Sequence, residues 1–168
     1  MRKMTEEFLK AAFSGESQAH MKYGIFSDVA ERNGFPNVAR LFRAIAYAER
    51  VHATNHAREL GIIGDPKENL QTAIDGENFE VNEMYPVYNN TAELQGENGA
   101  VKSTHYALEA EKIHAAMYEK AKQSVDGGKD IKMGAVYICP VCGYTVEGEV
   151  PDKCPVCSTA GKVFKKFE

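Results

Sequence analysis

Ala48-Glu49-Arg50-Val51-His52-Ala53 recurs almost unchanged as Ala110-Glu111-Lys112-Ile113-His114-Ala115. A Glu and a His three residues apart on a helix lie about 60° apart around its axis, so both can reach one ion from one face. A lone Glu-x-x-His is more often a pair of solvated surface residues. Duplication of the whole hexad changes that weighting, because small alanines bracket the ligand-type residues where helices must approach closely. Glu16, Glu80 and Glu83 lie on neighbouring helical segments and add three carboxylates. Five carboxylates packed together would each lose several kcal/mol of hydration unless cations compensate them. Oxygen-rich donors with one imidazole per ion suit iron or manganese, and two irons bridged by carboxylates fit best. Tyr23 follows Glu16 by seven residues and Tyr118 follows Glu111 by seven, so each shares a face with its carboxylate. A phenol there could orient a ligand. An aromatic at that spacing is more often plain core, and the ligand-supporting role is assigned to Tyr23 before Tyr118. Glu97 and Glu109 have no counterpart in the repeat and read as solvated. His20, His56 and His105 read as surface residues or neighbours of ligands.

A second donor set is formed by cysteines. Cys139-Pro140-Val141-Cys142-Gly143 and Cys154-Pro155-Val156-Cys157-Ser158 are two matched C-x-x-C knuckles that use all four cysteines of the chain. This clustering suits a tetrahedral thiolate site in a reducing compartment better than a disulfide framework. Zinc would make the module a structural clip, and iron a one-electron carrier. Attachment to a redox-capable helical segment tilts the choice to iron. The residue after each knuckle needs a left-handed turn, which Gly143 supplies freely and Ser158 only under strain.

Four helices must position these groups. The first runs without proline from Thr5 to about Arg32 and carries Glu16, before Asn33-Gly34-Phe35-Pro36 stops it. The second runs from Pro36 to Leu60 with Gly61 as its C-cap, and carries Glu49 and His52. Residues 61–76 read as a long connection containing a short helix from Lys67 to Ile74. The third helix is expected from near Glu77 to Gly96, kinked at Pro86, and the fourth from Ala100 to about Val125. Packed antiparallel, they bring the carboxylates and histidines to comparable depth, as in di-iron carboxylate bundles. Asp126-Gly127-Gly128-Lys129 begins a linker, and the texture then changes to short β-prone pieces at 135–138 and 162–167. The expected domains are therefore 1–130, mainly helical, and 131–168, a small β-rich metal-knuckle module.

The formal charge of −4 offers no broad cationic surface for phosphates, so nucleic acid is not an expected partner. The N-terminal residues run straight into a charged amphipathic pattern with no membrane-spanning stretch, which points to the cytoplasm.

With Gly15-Glu16-Ser17-Gln18-Ala19, Glu49-x-x-His52, Glu80-x-x-Glu83-Met84-Tyr85-Pro86, Glu111-x-x-His114 and the paired knuckles in this order, the chain resembles the rubrerythrin family over nearly its full length. The resemblance implies a ferritin-like four-helix bundle holding two non-haem irons, followed by a rubredoxin-like domain holding one iron in a four-cysteine site. It implies Glu16, Glu49, Glu80, Glu83, Glu111 and His114 as di-iron ligands, with His52 exchanging with Glu83 as the iron changes oxidation state. Cys139, Cys142, Cys154 and Cys157 would hold the third iron. It further implies reduction of hydrogen peroxide, with a reduced rubredoxin or an NAD(P)H-dependent reductase as electron donor, in a homodimer or higher homo-oligomer. Two readings compete: a ferroxidase or oxidase using dioxygen, and a non-catalytic zinc-ribbon protein with a helical interaction domain.

Overall fold

The computed structural model describes residues 1–168 and divides into two compact units, Met1–Gly64 and Asp65–Glu168. The class is the expected one, mainly helical with four helical rods and then a three-stranded module. No helix is long and apolar enough to cross a membrane.

The first unit is a hairpin of α1 (Lys3–Arg32) and α2 (Pro36–Leu60). Helix α1 ends where Gly34 takes φ +79° and the amide of Phe35 reaches back to the Ala30 carbonyl at 2.9 Å. Pro36 fits the first turn of α2 because its missing N–H would find no intrahelical partner there. Gly61 closes the helix in the left-handed conformation. The buried residues of the hairpin are small: Ser27 and Ala30 on α1, and Ala39, Ala46, Ala53 and Ala57 on α2. Alanines spaced by seven and then four residues form one stripe, which lets the two backbones approach closely. Polar clasps fix their register. The Ser27 hydroxyl donates to the Ala39 carbonyl at 3.0 Å and accepts from Arg43, which also pairs with Glu31 at 3.1 Å. His20 Nδ1 donates to the Ala46 carbonyl at 2.7 Å, so this histidine joins the helices.

The second unit begins with α3 (Pro66–Phe79), continues through a π-helical turn at Glu80–Met84 into α4 (Tyr85–Leu94), and returns along α5 (Asn98–Asp126). Here the structure corrects the element boundaries. The third rod starts at Pro66, eleven residues before the expected start, so the expected long connection shrinks to residues 61–65. Its origin is a capping box: the Asp65 carboxylate accepts from the amides of Lys67 and Glu68, and the Glu68 carboxylate accepts from the Asp65 amide. Pro86 cannot donate to the carbonyl four residues earlier, and the rod accommodates it through the π-helical turn just before it. Asn89 Nδ2 ties α4 to α5, donating to the Val101 carbonyl and the Thr104 hydroxyl.

After α5 come β1 (Val136–Ile138), β2 (Thr145–Glu147), a 3-10 turn at Gly161–Val163 and β3 (Lys165–Phe167). β1 is central and antiparallel to both others, pairing Tyr137 with Val146 and with Lys166. The module's core is Cys139, Cys142 and Cys154 with Tyr106, Tyr144, Val156, Cys157 and Phe164 around them. Tyr144 and Phe164 supply its aromatic part, and α5 adds Tyr106. Phe167 stands half exposed outside it.

Candidate metal centres

Each unit carries one triad of ligand-type side chains. On the hairpin, α1 supplies Glu16 and α2 supplies Glu49 and His52, with one ligand atom from each lying within 4.8 Å of the others. His52 Nδ1 is 3.0 Å from Glu49 Oε2 and 3.8 Å from Glu16 Oε1. The two carboxyls shift in opposite directions: hydrogen bonding to Glu49 raises Glu16, and the same interaction holds Glu49 low. Interaction with His52, and less so with His56, opposes the rise of Glu16.

In the second unit the triad is Glu77 from α3 with Glu111 and His114 from α5. His114 Nδ1 lies 2.6 Å from Glu111 Oε2 and 3.8 Å from Glu77 Oε1. Burial, the Glu111 hydrogen bond and the charges of Glu111 and Glu80 push Glu77 up to about 7. Glu80 lies beside this triad. Burial raises its carboxyl and the Glu111 charge adds to that, opposed by His114. Tyr85 is raised first by burial and then by Glu80, Glu111 and Glu77, so a protonated phenol faces the same carboxylates.

Five of the seven expected bundle ligands, Glu16, Glu49, His52, Glu111 and His114, fall within the triads. Glu80 neighbours one of them, and Glu83 is exposed in the π-helical turn. Glu77 was missed because a helix beginning at that residue would leave it in a frayed first turn. The signal available was the Glu77-x-x-Glu80 spacing, which repeats the one-face logic of the Glu-x-x-His pairs. Tyr23 packs its ring among Phe26 and Phe42 at centroid distances of 6.2 and 6.1 Å.

The donor chemistry fits cations. Glu77 Oε2 is buried and has no hydrogen-bond partner, a costly state for a carboxylate oxygen unless a positive ion faces it. Each triad offers two carboxylates and one imidazole, a harder donor set than the Cys and His of a structural zinc site.

The four thiols form the third cluster, with Cys139 and Cys157 sulfurs 3.5 Å apart and those of Cys142 and Cys154 3.4 Å apart. None is disulfide-bonded. The knuckles repeat one hydrogen-bond pattern: Gly143 N–H to the Cys139 carbonyl matches Ser158 N–H to the Cys154 carbonyl, at 3.0 and 2.9 Å. Gly143 sits at φ +79° and Ser158 at φ +63°, so the expected left-handed serine is present. Burial pushes the Cys142 and Cys154 thiols up. Burial acts the same way on Cys157, but the Thr159 hydroxyl and amide and the neighbouring thiols outweigh it and bring it to about 6. Four sulfurs this close suit a thiophilic cation that holds all of them ionised.

The knuckle module also touches the second triad. His114 Nε2 is 2.8 Å from the Thr145 hydroxyl, which lies 3.0 Å from the Gly143 carbonyl. Lys120 of α5 pairs with Glu147 of β2 at 3.1 Å.

Comparison with known proteins agrees with this arrangement. The rubrerythrin family model matches residues 7–122, and the model for the rubredoxin-like domain of rubrerythrin matches residues 137–165. Rubrerythrin-2 of Clostridium acetobutylicum is 46% identical, with 98% of this chain and 97% of that protein covered. Nigerythrin of Nitratidesulfovibrio vulgaris is 35% identical over 97% of this chain and 86% of its own length. A solved structure of partially reduced nigerythrin superposes with a TM-score of 0.57 at 32% identity, covering 97% of this chain and 86% of that one.

Proposed function

This chain belongs to the rubrerythrin family, and on that premise we propose that it reduces hydrogen peroxide to water in defence against oxidative stress. Its cofactors are a di-iron centre held by Glu and His groups and one iron in the four-cysteine site. The observation that carries the reading is the pair of Glu-Glu-His triads on a duplicated hexad, joined in one chain to four clustered thiols. We assign Glu16, Glu49, His52, Glu77, Glu111 and His114 to the two irons, with Glu77 rather than Glu83 in the ligand set and Glu80 adjoining it. Cys139, Cys142, Cys154 and Cys157 hold the third iron. We place the boundary between the helical part and the knuckle module near residue 130.

Peroxide reduction consumes two electrons and two protons per molecule and yields two waters. When bound, two ferrous ions supply the electron pair and act as Lewis acids on the departing oxygen. The chain supplies the rest. Its carboxylates neutralise the ions, and Glu77, raised to about 7, is the carboxyl able to hold and release a proton near neutrality. The Tyr85 phenol adds a hydrogen-bond donor beside Glu80 and Glu111. The four-cysteine module is the entry port for electrons from a reduced rubredoxin or an NAD(P)H-dependent reductase in the cytoplasm.

The active form is a homodimer or higher homo-oligomer. Large apolar side chains stand exposed on both units, Met21 at 62% and Leu41 at 61% on the hairpin, Phe79 at 52% and Val87 at 59% on the second unit. A surface of that kind is covered by association. Anaerobic turnover with peroxide and a reduced donor tests the activity: Glu111→Ala loses it, and undiminished turnover in that variant refutes the assigned site. Stopped-flow oxidation of the diferrous protein separates peroxide from dioxygen. Faster reaction with dioxygen overturns the peroxidase reading in favour of a ferroxidase or oxidase.

A further inference from the structure

We propose that Thr145 is a positioning residue for the di-iron centre: its hydroxyl relays a hydrogen bond from His114 to the first cysteine knuckle and so fixes His114 as an Nδ1 ligand. Thr145 opens β2, three residues after Cys142, and is only 4% exposed. Its oxygen is 2.8 Å from His114 Nε2 and 3.0 Å from the Gly143 carbonyl. A threonine hydroxyl has one proton to give. The Gly143 carbonyl can only accept, so that proton goes to Gly143 and the oxygen accepts from His114 Nε2–H. The relay thus runs Nε2–H to hydroxyl to carbonyl, in one direction. The other nitrogen, Nδ1, faces Glu111 Oε2 at 2.6 Å and Glu77 Oε1 at 3.8 Å, and the proton of the shorter hydrogen bond is the one a cation would displace to take the Nδ1 lone pair.

The arrangement holds the ring as well as its tautomer. The Gly143 turn lies directly on α5, where a Cβ added to it would stand 3.7 Å from Ala110 Cβ. Met117, Tyr118 and Ile138 wall the hollow that His114 and Thr145 share. A ligand histidine whose distal N–H is anchored this way binds metal more tightly, and loss of such a partner commonly costs about 10–100-fold in affinity. A protein group from the thiolate module therefore tunes the imidazole of the carboxylate site within the same unit.

The inference rests on His114 being a metal ligand, and the experiment separates the two claims. Zinc, which is diamagnetic, is loaded into protein carrying nitrogen-15 histidine, and the ring nitrogens are read by long-range proton–nitrogen correlation. In the parent, His114 is expected to show a metal-bound Nδ1 and a slowly exchanging Nε2 proton. Thr145→Val removes the hydroxyl at nearly constant shape. It is expected to lose the protected Nε2 proton and weaken binding at the carboxylate site by about 10–100-fold in chelator competition, while Thr145→Ser restores both. The four-thiolate spectrum of the iron-loaded protein checks that the knuckles survive in Thr145→Val. If that variant does not fold, the parent and Thr145→Ser spectra still decide, since a metal-bound Nε2 or a freely exchanging Nε2 proton in the parent overturns the relay. A Thr145→Val protein that matches the parent in proton protection and affinity overturns it too. If His114→Ala keeps the parental metal content and affinity, the ligand assignment itself fails, and the relay with it.

Discussion

Replacing Glu77 by Gln separates the ligand set drawn from geometry from the one expected of the sequence, and it does so without turnover. In the metal-free protein Glu77 is raised from its usual 4.5 to about 7, first by burial and then by Glu111 and Glu80. The folded state therefore keeps a proton that the unfolded chain has released. The resulting stabilisation is complete below pH 4.5 and is lost as pH rises through about 7. A shift of that size corresponds to about 3 kcal/mol at most. The side chain is 17% exposed, and residual solvent screening brings the expected effect to on the order of 2 kcal/mol. Glu77→Gln cannot titrate, so between pH 5 and 8 metal-free parent should lose about 4–8 °C of melting temperature relative to the variant. Added metal should remove that loss in the parent, because a cation replaces the proton, while Glu77→Gln binds the ion poorly. Glu83→Gln should match the parent in both measurements, since Glu83 is exposed. Equal pH profiles for parent and Glu77→Gln, or loss of metal in Glu83→Gln with retention in Glu77→Gln, would refute the assignment.

Ser158→Gly should stabilise the knuckle module by about 1 kcal/mol, because φ +63° is unstrained only for glycine, and should show as slower loss of the four-thiolate spectrum on heating. Gly161→Ala should disrupt the same module, since a Cβ there would lie 1.9 Å from the Pro151 carbonyl oxygen, and iron retention in the four-cysteine site reports it. Ser27→Ala removes the donor to the Ala39 carbonyl and the acceptor for Arg43, and should cost about 1–2 kcal/mol in chemical denaturation.

How much of this was legible in the sequence depended on how local the determinant was. Glu-x-x-His and Cys-x-x-Cys are short-range patterns whose geometry follows from helix pitch and knuckle shape, and their residues cluster as spacing requires. The four helical rods were legible for the same reason. The start of the third was not, because the sequence places a short helix from Lys67 to Ile74 inside a connection, whereas the Asp65–Glu68 capping box starts a helix that continues to Phe79. That boundary put Glu77 at a helix end, where its place beside Glu111 and His114 was not legible. The π-helical turn compounds it by inserting an extra residue per turn, so positions counted on a regular helix drift off the face past Glu80. The Thr145 contact was illegible for a different reason. It joins residues of α5 and β2 through tertiary packing, and a threonine after a knuckle carries no periodic signal.

The alanines state a further physical link between sequence and site. The repeated hexads are bracketed by small residues, and Ala53, Ala110 and Ala115 are buried while the Glu and His between them are partly or fully exposed. Small residues beside a ligand let a neighbouring backbone come close without filling the space the ion needs. On α5 that neighbour is the Gly143 turn resting on Ala110, directly before Glu111. A larger residue at Ala110 would lift the knuckle turn off the helix and pull the Thr145 hydroxyl away from His114. Ala110→Val should therefore reproduce the Thr145→Val loss of Nε2–H protection while leaving every donor atom in place. Parental protection in Ala110→Val would show that the relay does not depend on the closeness of this packing.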